Sequence, residues 1–130
     1  MIKGLSLFAN VGVAETYLKD VGVDIVLANE LLPDRARFYE HLYPNCQMIC
    51  GDVTKSEVSD VIVDAALRNN VEFVIATPPC QGMSKAGLKD KDDARNFLIT
   101  YAIDIIKRVN PKYVLIENVA QQLKTTVLYQ

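Results

Sequence analysis

The chain has 130 residues, room for one domain around one core. Half of them are hydrophobic and 23% are charged, with a net charge of −2, so no global basic field marks out a polyanion partner. No apolar run approaches the ~20 residues that span a bilayer, and three cysteines are too sparse for a disulfide scaffold, which reads as a reduced, cytoplasmic protein. In chain order, "KGLSLFA" predicts a first strand. "VAETYLKDV" predicts a helix with Val13, Ala14, Tyr17, Leu18 and Val21 on its buried face, stopped by Gly22. "VDIVLAN" is a second strand, and "PDRARFYEHLY" a helix opened by Pro33. "QMICGD" is a weaker third strand. Ser56 is the expected cap of "EVSDVIVDAALRN", with Val58, Val61, Ile62, Ala65 and Ala66 facing the core. "EFVIAT" is a fourth strand. "DARNFLITYAIDIIKRV" is the strongest helix, with a stripe of Leu98, Tyr101, Ala102, Ile105 and Ile106, ended by Asn110-Pro111. "KYVLIEN" is a fifth strand.

Continuous apolar strands alternating with helices imply an α/β fold: a doubly wound, mostly parallel sheet covered on both faces. Right-handed crossovers give the expected strand order 3-2-1-4-5. Ligands then bind beyond the carboxyl ends of the strands, where the order reverses between strands 1 and 4. The loops "ANVG" and "PPCQG" should meet there.

Several strand ends carry residues of interest. The loop after strand 1 keeps only Gly12 of a G-x-G-x-x-G fingerprint, which weighs against a dinucleotide dehydrogenase. Glu30 after strand 2 suits ribose hydroxyls or, equally, a solvated carboxylate at a helix start. Asp52 in "GDVT" reads as a turn or cap residue. Glu117 in "IENV" is expected to be half-buried, as a reactive group or as a partner for a loop amide. Cys80 in "TPPCQGMS" is open to four readings: a small buried hydrophobe, a metal ligand, a redox group or a nucleophile. His41, Cys46 and Cys50 lack a standard zinc spacing, and no metal is expected.

These stretches together resemble the cytosine-C5 DNA methyltransferases, which use S-adenosylmethionine. "LFANVG", "ANE" and "GDV" are similar to the first three motifs, "PPCQGMS" to the catalytic one, "RNFLITYAIDII" to the helix after it, and "IENV" to the motif with the second catalytic group. The order Pro-Cys-Gln then Glu-Asn-Val on successive strands is the most specific part. The first motif departs from the family, which usually has aspartate at the position of Ser6 and glycines at those of Asn10 and Val13.

The resemblance implies a Rossmann-like methyltransferase fold, truncated after about five strands, with residues 1–130 as a partial catalytic domain and no target-recognition domain. It implies Cys80 as nucleophile, Glu117 at N3 of the target cytosine and the Pro79 carbonyl at its amine. Phe8, Asn10, Gly12, Glu30, Leu31, Asp52, Val53 and Pro78 would hold S-adenosylmethionine, or S-adenosylhomocysteine as product. Gln81, Ser84 and Lys85 would meet double-stranded DNA with a flipped cytosine, and Lys89 and Lys91 would also reach phosphates. The implied setting is bacterial or phage-like restriction–modification, in the cytoplasm at the nucleoid, with no membrane role. A C-terminal half or second subunit would complete the enzyme. Two other functions fit the same residues: a non-catalytic nucleotide-binding module, and the same chemistry on RNA.

Overall fold

The structure is a computed structural model and describes residues 1–79 and 98–117. Five strands form one sheet: β1 (Ile2–Leu7), β2 (Val23–Glu30), β3 (Gln47–Cys50), β4 (Phe73–Ala76) and β5 (Tyr113–Ile116). Their order is β3-β2-β1-β4-β5, as expected, and every neighbouring pair is parallel. Among the described residues three α-helices lie between them: α1 (Pro33–Leu42), α2 (Ser56–Arg68) and α3 (Leu98–Val109).

A parallel sheet must cover both faces, and the core is accordingly in two parts. On one face Leu5, Leu7, Leu27 and Val74 meet Ile62 and Ala66 of α2 and Ala102 and Ile105 of α3. On the other, Ala9, Ala28 and Cys46 pack with Tyr39 of α1. Gly4 lies where β1 is squeezed: a Cβ there would stand 2.7 Å from Ile25 and 3.2 Å from Phe73. The register between β1 and β2 shifts at that point.

Three local expectations need correction. Residues 13–21 do not form the expected helix: only Leu18–Val21 coil, as a short 3-10 turn closed by Gly22 at φ 90°. Val13, Tyr17 and Val21, expected inside, are 76%, 75% and 74% exposed, and Ala14 and Thr16 are exposed too. The buried member is Glu15, drawn inward by a hydrogen bond from the Tyr39 hydroxyl. Ser56 is not the cap of α2; Lys55 holds that position without a side-chain bond, and the Ser56 hydroxyl turns to Glu57. The buried stripes are also rotated. In α2 Val63 is buried and Val61 exposed; in α3 Ile99, Ile103 and Val109 are buried and Tyr101 exposed. Among the described residues no helix is long and apolar enough to cross a membrane.

Candidate active site at the strand ends

Parallel register brings the carboxyl ends of the strands into one row. Leu7 pairs with Asn29 on one side and Ala76 on the other; Glu30 pairs with Cys50, and Ala76 with Ile116. The residues leaving the strands therefore form a rim: Phe8, Leu31, Gly51, Thr77 and Glu117. Backbone bonds continue past the sheet and stitch this rim together. Ala9 donates to Asn29, Gly51 to Glu30, Thr77 to Leu7 and Glu117 to Ala76, at 3.0 to 3.3 Å.

The loop after β1 turns through three left-handed residues: Phe8 at φ 57°, Asn10 at 54° and Gly12 at 84°. An aromatic side chain seldom adopts this conformation, and such strain concentrates where ligands bind. The Thr77 hydroxyl holds Phe8 in place, donating to its carbonyl at 3.0 Å. Thr77 thus ties the loop after β1 to the start of "PPCQG", a link that sequence reading missed. Asparagine is among the residues that tolerate the left-handed region, so Asn10 takes the conformation a glycine would take there. Val13 has no positive φ, so glycine is not required at that position.

Glu30 is 6% exposed, so it is not a solvated carboxylate. One oxygen accepts the Asn10 amide at 2.8 Å and the other the Leu32 amide at 2.9 Å. Leu32 caps α1, so the carboxylate also faces a helix N-terminus, where negative charge is favoured. Each oxygen keeps acceptor capacity for a hydroxyl. Its neighbour Asn29, 3% exposed and not anticipated, donates to the carbonyls of Ile49 and Gly51 at 2.7 and 3.1 Å. Asp52 is the turn residue that its sequence suggested: Oδ1 accepts the Thr54 hydroxyl at 2.7 Å and amide at 2.9 Å. The Thr54 hydroxyl, then its amide, hold this carboxyl below the usual range. Leu31 is 56% exposed on the rim, whereas Val53 at 5% belongs to the core and has little surface left for a ligand.

Beside this half of the rim stand Pro78, buried, and Pro79, exposed. Cys80, Gln81, Ser84 and Lys85, with Lys89 and Lys91, lie outside the described residues. Glu117 is exposed rather than half-buried: among the described residues β5 is the edge strand, and Tyr113, Val114 and Leu115 stand about half exposed on it. Cys46 is buried near Tyr39, its thiol pushed up to about 11 first by burial. Cys50 is exposed, with its thiol 3.7 Å from the Leu31 carbonyl. Among the described residues no group of three or more His, Cys, Asp and Glu side chains is placed to hold a metal. A cleft of about 180 Å³ lined by Lys19, Asp24, Leu42 and Asn45 among others lies toward the start of β2, the opposite end from the rim.

Comparison with known proteins points the same way. The profile of the C-5 cytosine-specific DNA methylase family matches residues 2–127. The chain is 48% identical over 129 residues to the Type II methyltransferase M1.HgaI of Avibacterium volantium, covering 95% of this chain and 36% of that protein. Against M.XorII of Xanthomonas oryzae pv. oryzae it is 30% identical over 119 residues, 89% of this chain and 28% of that one. The chain thus spans about a third of the length of these relatives. Among solved structures, an E. coli prophage-encoded protein assigned as a DNA modification methyltransferase superposes with a TM-score of 0.74 at 25% identity, covering 93% of this chain and 33% of that one. Strand order, rim and sequence agree, and the chain belongs to the C-5 cytosine-specific DNA methylase family.

Proposed function

We propose that this chain is the cofactor-binding part of a DNA (cytosine-5-)-methyltransferase, with Cys80 as nucleophile and S-adenosylmethionine as methyl donor. The observation that carries the reading is the rim itself. The loop entering Cys80 and the carboxylate Glu117 leave adjacent strands at paired positions, Ala76 and Ile116. The carboxylates of Glu30 and Asp52 follow on the other side of β1.

The donor set fits this cofactor. Carboxylates at Glu30, Asp52 and Glu117 accept from hydroxyls and amines and favour a cation, whereas they repel the diphosphate of a dinucleotide. Glu30 would take the ribose hydroxyls and Asp52, through Oδ2, the adenine amine. Phe8, Leu31 and Pro78 would offer apolar surface to the adenine, with Val53 behind them. Asn10 and Gly12 would line the methionine end. When bound, S-adenosylmethionine supplies an electrophilic methyl group.

The chain's own residues account for the rest. C5 of cytosine is too weak a nucleophile to take a methyl group unaided. The Cys80 thiolate adds to C6, forming a C–S bond and pushing the C5–C6 electron pair onto C5. A carboxyl group from Glu117 at N3 and the Pro79 carbonyl at the amine hold the base and stabilise the charge developing on the ring. C5 then takes the methyl. Loss of the C5 proton to water returns the electron pair, re-forms the C5–C6 double bond and breaks the C6–S bond, expelling Cys80 as thiolate. The base must leave the duplex to reach such a site, and Gln81, Ser84 and Lys85 would meet the opened DNA.

Residues 1–130 are then one part of a catalytic domain. Target recognition falls to a C-terminal part or a second subunit, in keeping with the third of its relatives' length that the chain spans and with the exposed edge at β5. A protein acting on bacterial or phage DNA works in the cytoplasm, at the nucleoid. The test is trapping. The chain is mixed with a polypeptide covering the rest of the family sequence, S-adenosylmethionine and a duplex containing 5-fluorocytosine. Fluorine at C5 blocks the final elimination, so mass spectrometry should find the base bound to Cys80. A complex that holds both DNA and cofactor yet forms no Cys80 adduct would overturn the assignment.

A further inference from the structure

The loop after β1 keeps one glycine, yet it adopts a closed, tightly turned path. What holds that path comes from the far side, from α1 and the residue that ends it. Tyr39 and Tyr43 are four residues apart, so they stack on one face of the helix; their ring centroids are 4.7 Å apart. The Tyr43 hydroxyl donates to the Gly12 carbonyl at 2.8 Å, and both rings pack on Gly12 so closely that a Cβ there would collide with Tyr43 and come within 2.9 Å of Tyr39. Three residues on, the Tyr39 hydroxyl donates to Glu15 Oε2 at 2.8 Å. Glu15 is 5% exposed.

This acid sits against expectation. Its other oxygen, Oε1, is buried without a hydrogen-bond partner of ordinary geometry. The buried Ser6 hydroxyl is near enough to favour the charged form, but burial outweighs it and raises the carboxyl. A buried carboxyl group with an unmatched oxygen is costly to keep. Exposing Glu15 and burying Val13, Tyr17 and Val21 would be the ordinary amphipathic solution. The chain takes the opposite one.

We propose that Tyr43, Tyr39 and Glu15 are positioning residues for the cofactor loop. They anchor the backbone of residues 12–15 on the α1 side, so that the opposite edge of residues 10–13 is presented to the crevice in one fixed shape. The brace supplies by side-chain contacts the rigidity that a loop with fewer glycines needs, and it touches neither methyl donor nor base. It rests on the reading of the crevice as the S-adenosylmethionine site.

The test is titration calorimetry of the whole chain with S-adenosylhomocysteine, together with amide hydrogen exchange of residues 10–16 in the free protein. Tyr43→Phe removes one hydroxyl and keeps the ring. It should weaken S-adenosylhomocysteine about 5–10-fold, the effect of one lost hydrogen bond, and speed exchange across the loop. Glu15→Leu should do the same. Glu15→Gln keeps an acceptor for Tyr39 and adds a donor on the unmatched side, and should stay within about 2-fold of the wild type. Unchanged affinity and exchange in Tyr43→Phe would overturn the brace while leaving the cofactor reading intact. A folded wild-type chain that binds no S-adenosylhomocysteine would overturn both. Should Tyr43→Phe not fold, the Glu15 pair decides: a loss in Leu with retention in Gln supports the brace, and equal affinities refute it.

Discussion

The two halves of the rim are built differently. At the end of β2 the polar groups are buried and matched. Asn29 and Glu30 are 3% and 6% exposed, and both span between loops. At β5, by contrast, Tyr113, Val114 and Leu115 stand 52%, 45% and 48% open to solvent. Among the described residues β5 has a neighbour on one side only, and an apolar edge of that kind favours pairing with a further strand. The first half is fixed by hydrogen bonds between loops; the second leaves apolar side chains open to solvent. A methyltransferase needs both, because the cofactor is held by fixed donors and acceptors while the base arrives with DNA.

The comparison can be broken most severely at Cys80. In the completed enzyme Cys80→Ala should cost more than about 10⁴-fold in methyl transfer, yet leave S-adenosylhomocysteine affinity unchanged. A parallel loss of cofactor binding would mean that the two halves are not separable. Next comes Gly12→Ala, which combines a left-handed backbone with a collision against Tyr43 and Tyr39. It should destabilise the fold by about 2–4 kcal/mol, read by urea unfolding; a neutral result would contradict the packing of that loop. Glu30→Gln places an amide donor where one of two backbone N–H groups now finds an acceptor. A loss of about 1–3 kcal/mol in stability with at least tenfold weaker cofactor binding is expected. A change confined to stability would limit Glu30 to a structural role.

The smallest effect is in pH dependence. Glu15 has its carboxyl raised from 4.5 by burial, so the folded state holds its proton more tightly than the unfolded one. Stability contributed by the neutral form is then complete below about 4.5 and declines as pH rises through the folded value. Asp52, lowered from 3.8 by Thr54, acts with the opposite sign and loses its contribution on acidification below that point. Thermal midpoints of Glu15→Gln and wild type should therefore diverge in the variant's favour as pH rises above about 4.5. A constant offset would place Glu15 outside this account.

Much of the frame was legible in the sequence because it rests on patterns that repeat. Alternating apolar strands and helices were enough for the strand order, and Gly12, Glu30 and Asp52 stand where strand-end logic put them. What was not legible depends on distant partners. Val13, Tyr17 and Val21 have helical spacing, but the turn at Gly12 and the pull of Tyr39 on Glu15 override it. Asn29 and Thr77 each sit beside a motif residue, and that adjacency of a polar group to a strand end was the only local sign of their bonds to Gly51 and Phe8. The exposure of Glu117 follows from β5 being an edge, a property of the sheet rather than of "YVLI".

The central proposal is that S-adenosylmethionine or its product binds at the β1–β3 half of the rim and not along β5. Amide chemical shifts followed by NMR during titration with S-adenosylhomocysteine test it most directly. The account predicts saturable shifts at Asn10, Gly12, Leu31, Leu32 and Thr54, with Tyr113–Ile116 unmoved. Saturable shifts centred on Tyr113–Ile116, or none anywhere in a folded chain, would contradict it.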